Sequence, residues 1–299
     1  MSQSAANRRG MIALTFGMAA YTVNDSFVKL VARELPFGEV LFLRGSLVLL
    51  ILGAVLGATG ALHHIVPAAK PAVLWRALFD ALGTLFFIAA LVNMYIADLS
   101  AVVMTAPLML TALAAIMLGE AIGWRRWAAI AVGLAGTLFI VKPGAGAFDA
   151  WALAGIASAL FSAGRDLTTR RIDPSIPSLA IGLYGTFLVT LLGAGIGMTE
   201  SWSMPNLLQW TQLGIASAFL GLGTYLVVHA FRGVEIAAVA PFRYTLLIWM
   251  GIAGYVAFGE IPDRWALVGA TLIALSGLYA LHREAVRRRE LAATAIPPA

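Results

Sequence analysis

Apolar runs of about twenty residues follow one another along nearly the whole chain, parted by short breaks rich in Pro, Gly and charge. A helix rises about 1.5 Å per residue, so each run is long enough to cross the ~30 Å of hydrocarbon in a bilayer. The pattern predicts ten helices, near 10–31, 37–57, 74–95, 99–118, 124–141, 151–169, 177–197, 210–231, 236–258 and 264–281. Pro36, Pro71, Pro143–Gly144, Pro174, Pro177, Pro205 and Pro262 mark the connections, where a missing N–H ends or starts a helix rather than breaking it. The stretch 198–209 sets Trp202, Leu207 and Leu208 among polar residues and reads as an interfacial segment. The last stretch, 282–299, is charged and then Ala/Pro-rich, and is expected to fray. The first run carries Asn24 and Asp25 and is too long for a secretory signal core, so it reads as a retained helix.

The pattern also repeats itself. At an offset of 140 residues, Leu43–Arg44–Gly45–Ser46 returns as Leu183–Tyr184–Gly185–Thr186, Gly53–Ala54–Val55–Leu56–Gly57 as Gly193–Ala194–Gly195–Ile196–Gly197, and Gly119–Glu120 as Gly259–Glu260. Five helices per copy turn the second copy over in the membrane. The expectation is an all-α integral membrane protein of two inverted five-helix repeats around a central cavity, 10–141 and 151–281, with a cytoplasmic tail 282–299.

Composition agrees: of 299 residues 61% are hydrophobic and 12% charged, with a mean hydropathy of +0.88, where a soluble domain carries about 25% charge. The net charge of +5 suits an inserted protein better than a nucleic-acid binder, since no basic segment is interleaved with exposed aromatics. Lys and Arg gather in cytoplasmic loops. With both termini cytoplasmic, 14 cations fall inside, among them Arg8, Arg9, Lys70, Arg76, Arg125, Arg126, Arg170, Arg171 and Arg232, and 3 outside, Arg33, Lys142 and Arg264. There is no cysteine, hence no disulfide and no thiolate site. The neighbours His63 and His64 make no metal site without further ligands. No Gly-rich loop with Lys and Ser/Thr suggests ATP as the energy source. No cofactor is expected.

Ten helices in two repeats, each with a Gly–Glu hairpin before its last helix, resemble the drug/metabolite transporter superfamily, EamA type. Val23–Asn24–Asp25–Ser26–Phe27–Val28–Lys29–Leu30 is similar to its first-helix signature, Leu43–Arg44 to the second-helix arginine, and Pro107 to the fourth-helix proline. The second repeat departs from the pattern, with Leu247 at the matching place and Pro241 six residues earlier. The resemblance covers residues 10–282 and implies a cavity lined by helices 1, 3, 4, 6, 8 and 9, with 5 and 10 outside. It lies nearest to exporters of aromatic amino acids and related metabolites.

Charge within hydrocarbon is costly and usually faces a wet interior. Asn24, Asp25, Lys29 and Arg44 fall in the outer half; Asp80, Arg165–Asp166, His229 and Arg243 in the inner half. Asp25 and Lys29 share a helix face. The outer set reads either as a structural cluster or as a gate or proton carrier. Arg243 is too deep to snorkel, and Asp80 is its expected partner, as a structural bridge or an inner gate; alternatively Arg243 reads a substrate carboxylate. His229 is either an interfacial histidine or a proton carrier. Glu120 and Glu260 are assigned to hairpin geometry. Tyr21, Asn24, Phe79, Thr84, Met104, Pro107, Ser158, Ser162, Tyr225 and Tyr244 fall where substrate would bind, although aromatic and Met residues in such helices more often pack. Pro107 leaves the Val103 carbonyl without its helical partner.

These features predict a multi-pass inner-membrane secondary transporter exporting small hydrophobic or aromatic amino acids, with a small-molecule substrate and the lipid bilayer as partners and no nucleic acid. Uptake or exchange of a nucleoside-like or sugar-phosphate metabolite is the rival, and a membrane-embedded lipid enzyme or a channel more remote. Small-residue faces serve packing within the bundle as well as between copies, so they set no oligomeric state.

Overall fold

The computed structural model describes residues 3–60, 63, 65, 68–120, 122–142, 150–173, 175–231 and 234–294. His64, Pro143–Gly144, Pro174 and Arg232 lie outside the described residues. Every regular element among the described residues is helical: α1 (Gln3–Val31), α2 (Phe37–Ala58), α3 (Pro71–Asn93), α4 (Ile96–Val103), α5 (Ala106–Leu118), α6 (Trp124–Val141), α7 (Ala150–Thr169), α8 (Ser178–Gly197), α9 (Leu207–Ala230), α10 (Ile236–Val239), a 3-10 segment (Ala240–Tyr244), α11 (Thr245–Phe258) and α12 (Arg264–Thr294). Every expected helix is met by helical structure.

Three things differ from the expected pattern. The last helix runs on to Thr294, so the charged part of the expected tail is helical. The fourth and ninth rods are broken, into α4–α5 and into α10, the 3-10 segment and α11. Seven helices among the described residues are long and apolar enough to cross a membrane, counting Ile96–Leu118 as one. The charges of α1 and α7 keep them out of that set, and α11 is too short.

Eight rods close into a ring, each packed on the next in the order α1, α9, α2, α8, α3, α7, α4–α5, α11 and back to α1. α6 and α12 pair with each other outside it, pinned by the Lys142–Asp263 ion pair. Exchanging each rod with the one five places later maps these contacts onto themselves: α1 on α9 becomes α7 on α3, while α2 on α8 and α6 on α12 map to themselves. The two repeats are thus interleaved, and nearly every large contact joins one to the other.

Small residues make the seams. A Cβ on Gly193 of α8 would lie 2.6 Å from the Phe42 backbone nitrogen of α2, and one on Gly136 of α6 2.9 Å from the Gly269 carbonyl oxygen of α12. Hydrocarbon gives no hydrophobic push between helices, so close backbone approach supplies the dispersion contact. The segment after α8 is largely exposed, with Met198, Met204 and Leu207 outermost, as an interfacial stretch would be, and it is pinned to α2 and α8: the Trp202 ring packs on Gly197 and 5.2 Å from the Phe42 ring, while Glu39 and Glu200 accept the Ser203 and Gly38 N–H groups. The outer surface is apolar, with Leu50, Ile116 and Val256 all strongly exposed, as a lipid-facing surface requires.

Candidate functional site

The two Gly–Glu hairpins set up the site's ends. Gly119 and Gly259 take left-handed backbone, φ 68° and 64°, and the N–H groups of Glu120 and Glu260 reach back to the Ala114 and Gly254 carbonyls. This closure ends each helix and aims a carboxylate sideways. Glu260 Oε1 accepts a hydrogen bond from Lys29 Nζ at 2.5 Å, and Oε2 accepts one from the Ile96 N–H at 2.8 Å. Lys29 also donates to the Met94 carbonyl at 2.6 Å. Arg33 stands 3.7 Å from the same carboxylate, and the Phe258 ring lies under both cations.

The matching carboxylate, Glu120, meets Arg170 at 3.0 Å. Lys29 and Arg170 close the corresponding rods of the two repeats, α1 and α7. Ile96, beside Glu260, begins the α4–α5 rod and Glu120 follows its end, so roughly 34 Å of helix separates the two pairs. Lys29 and Glu260 are 1% and 7% exposed; Arg170 and Glu120 are 45% and 46% exposed. Each hairpin glutamate therefore pairs with a cation near the end of the first rod of the other repeat, buried at one end of the ring and exposed at the other.

Two further polar clusters lie between. Arg44 donates to Asn24 Oδ1 at 3.4 Å, and Asn24 Nδ2 donates to Asp25 at 2.7 Å. Asn24 thus bridges a cation and an anion that do not touch. Lys29, which shares a helix face with Asp25, turns to Glu260 instead. The other cluster holds two cations and two anions. Arg165 binds Asp80 at 3.1 Å and Asp166 at 2.9 Å, and Arg76 approaches Asp80 at 3.8 Å. Such neutrality within the cluster lowers the cost of placing charge in an apolar bundle.

Asp80 is consequently taken, and the expected Asp80–Arg243 bridge does not form: among the described residues Arg243 makes no ion pair. The reason is topological. α3 lies against α7, which brings Arg165 to Asp80, whereas Arg243 sits in the 3-10 segment, which packs on α1. The Arg243 and Arg165 guanidiniums both lie within electrostatic range of the Tyr21 hydroxyl, which pairs with Thr224 at 3.3 Å.

The rod breaks are matched as well. Thr105 and Thr245, 140 residues apart, begin the second half of each broken rod, and each hydroxyl donates to the carbonyl three residues earlier, Val102 at 2.6 Å and Phe242 at 2.7 Å. Pro107 follows one break and Pro241 opens the other. The offset was visible in the sequence, but the repeat read there rested on glycines and the Gly–Glu pairs, and these threonines were missed. Glu260 was missed as a charge partner because a carboxylate after a helix-ending glycine also fits a plain hairpin.

The remaining expected residues divide. Phe79 joins an aromatic wall on α3 and α7 with Phe161, 6.2 Å away, and Phe86 stacks on the same ring at 5.5 Å. Thr84 and Ser162 are half-buried on those helices, and Met104 caps α4. Three residues are engaged elsewhere. Ser158 spends its hydroxyl on the Gly83 carbonyl. Tyr244 is buried with its hydroxyl against Gly277 of α12. Tyr225 is 65% exposed and stacks on His229, on the face of α9 with Leu222 and Val228, away from the glycine that meets α1; both members of that stack point out of the ring. No group of three His, Cys, Asp or Glu among the described residues can hold a metal.

Comparison with known proteins fits this geometry. A model of the EamA-like transporter family matches residues 8–142 and again 149–281. A riboflavin transporter of Rhizobium johnstonii is 28% identical over 217 residues, 73% of this chain and 72% of that protein. An S-adenosylmethionine uptake transporter of Rickettsia bellii is 30% identical over 178 residues, 60% of this chain and 61% of that protein. A pseudopaline exporter of Pseudomonas aeruginosa is 24% identical over 271 residues, 90% and 94% of the two chains. A solved crystal structure shares the fold with a TM-score of 0.61 at 18% identity, over 97% of this chain and all 100% of the other.

Proposed function

Because this chain belongs to the EamA-like transporter family, a family of membrane transporters of small metabolites and not of enzymes, we propose that it is a ten-span secondary transporter working by alternating access. Its substrate is a flat metabolite with a carboxylate, of the aromatic amino-acid class, moved outward across the inner membrane. The observation that carries the substrate class is Arg243. It is a half-buried guanidinium with no carboxylate partner among the described residues, placed where a rod is broken. A guanidinium holds a carboxylate by two parallel bonds, and the Phe79–Phe161–Phe86 wall offers a stacking surface for a ring. Broken helices at matched places in inverted repeats are where such transporters bind substrate.

The twin ion pairs support the alternation. With both termini cytoplasmic, Lys29–Glu260 closes the outer end and Arg170–Glu120 stands at the open inner end. Transport then exchanges the two: the inner pair becomes buried as the outer one hydrates. Asn24, Asp25 and Arg44 line the outer half of the path; Asp80 with Arg165 lines the inner half.

A second reading has its own support. The Rickettsia bellii relative is an S-adenosylmethionine uptake transporter, which favours a nucleoside-like substrate moving inward. One assay separates the two. Proteoliposomes of the purified chain are tested for counterflow of labelled phenylalanine, tryptophan, S-adenosylmethionine and riboflavin. The proposal expects phenylalanine or tryptophan counterflow above empty liposomes, lost at least tenfold in Arg243→Ala and poorly restored by Arg243→Lys, since an ammonium lacks the fork. Counterflow of S-adenosylmethionine alone would reject the aromatic amino-acid reading.

A further inference from the structure

On the outside of the ring, α1 and α9 leave an open groove of about 740 Å³. Its walls are Ile12, Phe16 and Ala19 of α1 and Phe219, Leu222 and Leu226 of α9, and its mouth carries Arg8 and Arg9. It is separate from the candidate transport path. Gly17 of α1 faces α9, and Tyr21, Asp25 and Lys29 turn to one side of that contact, while Ile12, Phe16 and Ala19 turn to the other. Ile12 and Phe16 are 52% and 60% exposed, so in a membrane this groove faces lipid.

We propose that the groove holds one anionic phospholipid, its phosphate on Arg8 and Arg9 and an acyl chain along the apolar walls. Both arginines are exposed and make no ion pair among the described residues, and no acidic side chain lines the groove. A pair of guanidiniums at the mouth of an apolar slot matches a phosphate above a hydrocarbon chain in both charge and polarity. The fit in length is also good: Arg9 to Val23, the far end of the lining, is about 21 Å of helix, which accommodates a chain reaching from the surface past the middle of a ~30 Å core. A zwitterionic lipid brings the same chain, but its own cation opposes the arginines.

The position gives the lipid a consequence. The floor of the groove is the α1–α9 seam, where Gly10 meets Ala230 and Gly17 meets Gly223, and this seam joins one repeat to the other. A lipid seated across it bears on both repeats at once.

Native mass spectrometry of the purified full chain tests the site, with phosphatidylglycerol and phosphatidylcholine offered at equal concentration. The wild type is expected to retain one phosphatidylglycerol at least fivefold more often than phosphatidylcholine. Arg8→Gln with Arg9→Gln abolishes that preference, and Ala19→Trp, which fills the groove and keeps both arginines, abolishes retention. Equal retention of both lipids by the wild type overturns the proposal, as does a preference that survives the double arginine change. Retention that persists in Ala19→Trp assigns the lipid to the surface arginines alone and removes the groove as a site. Since all three positions lie on the exposed side of α1, an unchanged melting temperature checks that each variant is folded.

Discussion

At Glu260 a carboxylate and an ammonium share a site from which water is almost excluded, and each has a second hydrogen bond, Glu260 from the Ile96 N–H and Lys29 to the Met94 carbonyl. Removing one partner of such a pair strands the other charge, at a cost of about 3–5 kcal/mol. Glu120 and Arg170 are nearly half exposed, and an exposed pair is worth about 0–1 kcal/mol. Glu260→Gln is therefore expected to lower stability by several kcal/mol, and Glu120→Gln by less than about 1 kcal/mol. Thermal unfolding of both variants in the same detergent checks this, and equal losses would contradict a sealed end opposite an open one. The sequence showed both glutamates after matched glycines, but nothing in it separates a buried from an exposed copy. Arg243 was legible as a cation too deep to leave unpaired. Its isolation was not, because that depends on Arg165 reaching Asp80 first.

The helices were the most legible part, since about twenty apolar residues bounded by Pro and Gly admit few alternatives. The breaks in the fourth and ninth rods were half legible. Pro107 announces a lost hydrogen bond, but the second repeat has Leu247 at the corresponding place and breaks all the same, at Thr245. Helix seams were legible only as composition: several glycines look alike along α8 and do different things. Gly193 abuts the α2 backbone, while a Cβ on Gly195 would meet nothing within 4 Å. Gly193→Ala is expected to destabilise by about 1–3 kcal/mol as backbones are forced apart. Gly195→Ala is expected to be neutral or to stabilise by up to about 1 kcal/mol through helix propensity. Melting temperatures of the two variants should move apart, and a fall of similar size in both would argue against the α2–α8 seam as described.

Across the whole ring, the two repeats share one contact map but not one environment, for the hairpin ion pair is buried at one end and exposed at the other. Because the chain has no cysteine, single thiols report on this directly. Val28→Cys, beside Lys29, is buried, and Thr169→Cys, 140 residues after Lys29, is exposed. A water-soluble maleimide should label position 169 quickly and position 28 at least tenfold more slowly, and a transported substrate should narrow the gap. Labelling of position 28 as fast as position 169 before substrate is added would remove the sealed end. Hydrophobic periodicity, the 140-residue offset and the Gly–Glu hairpins determined, with no structure at all, a helical membrane protein of two repeats and the family it belongs to. These properties are written locally, in runs, breaks and spacings. Which charges pair, which glycines touch, and which of two equivalent glutamates is buried depend on rods distant in the chain meeting at one place and not at its symmetric twin. A duplicated sequence carries both copies of each contact; only the closed ring makes them unequal.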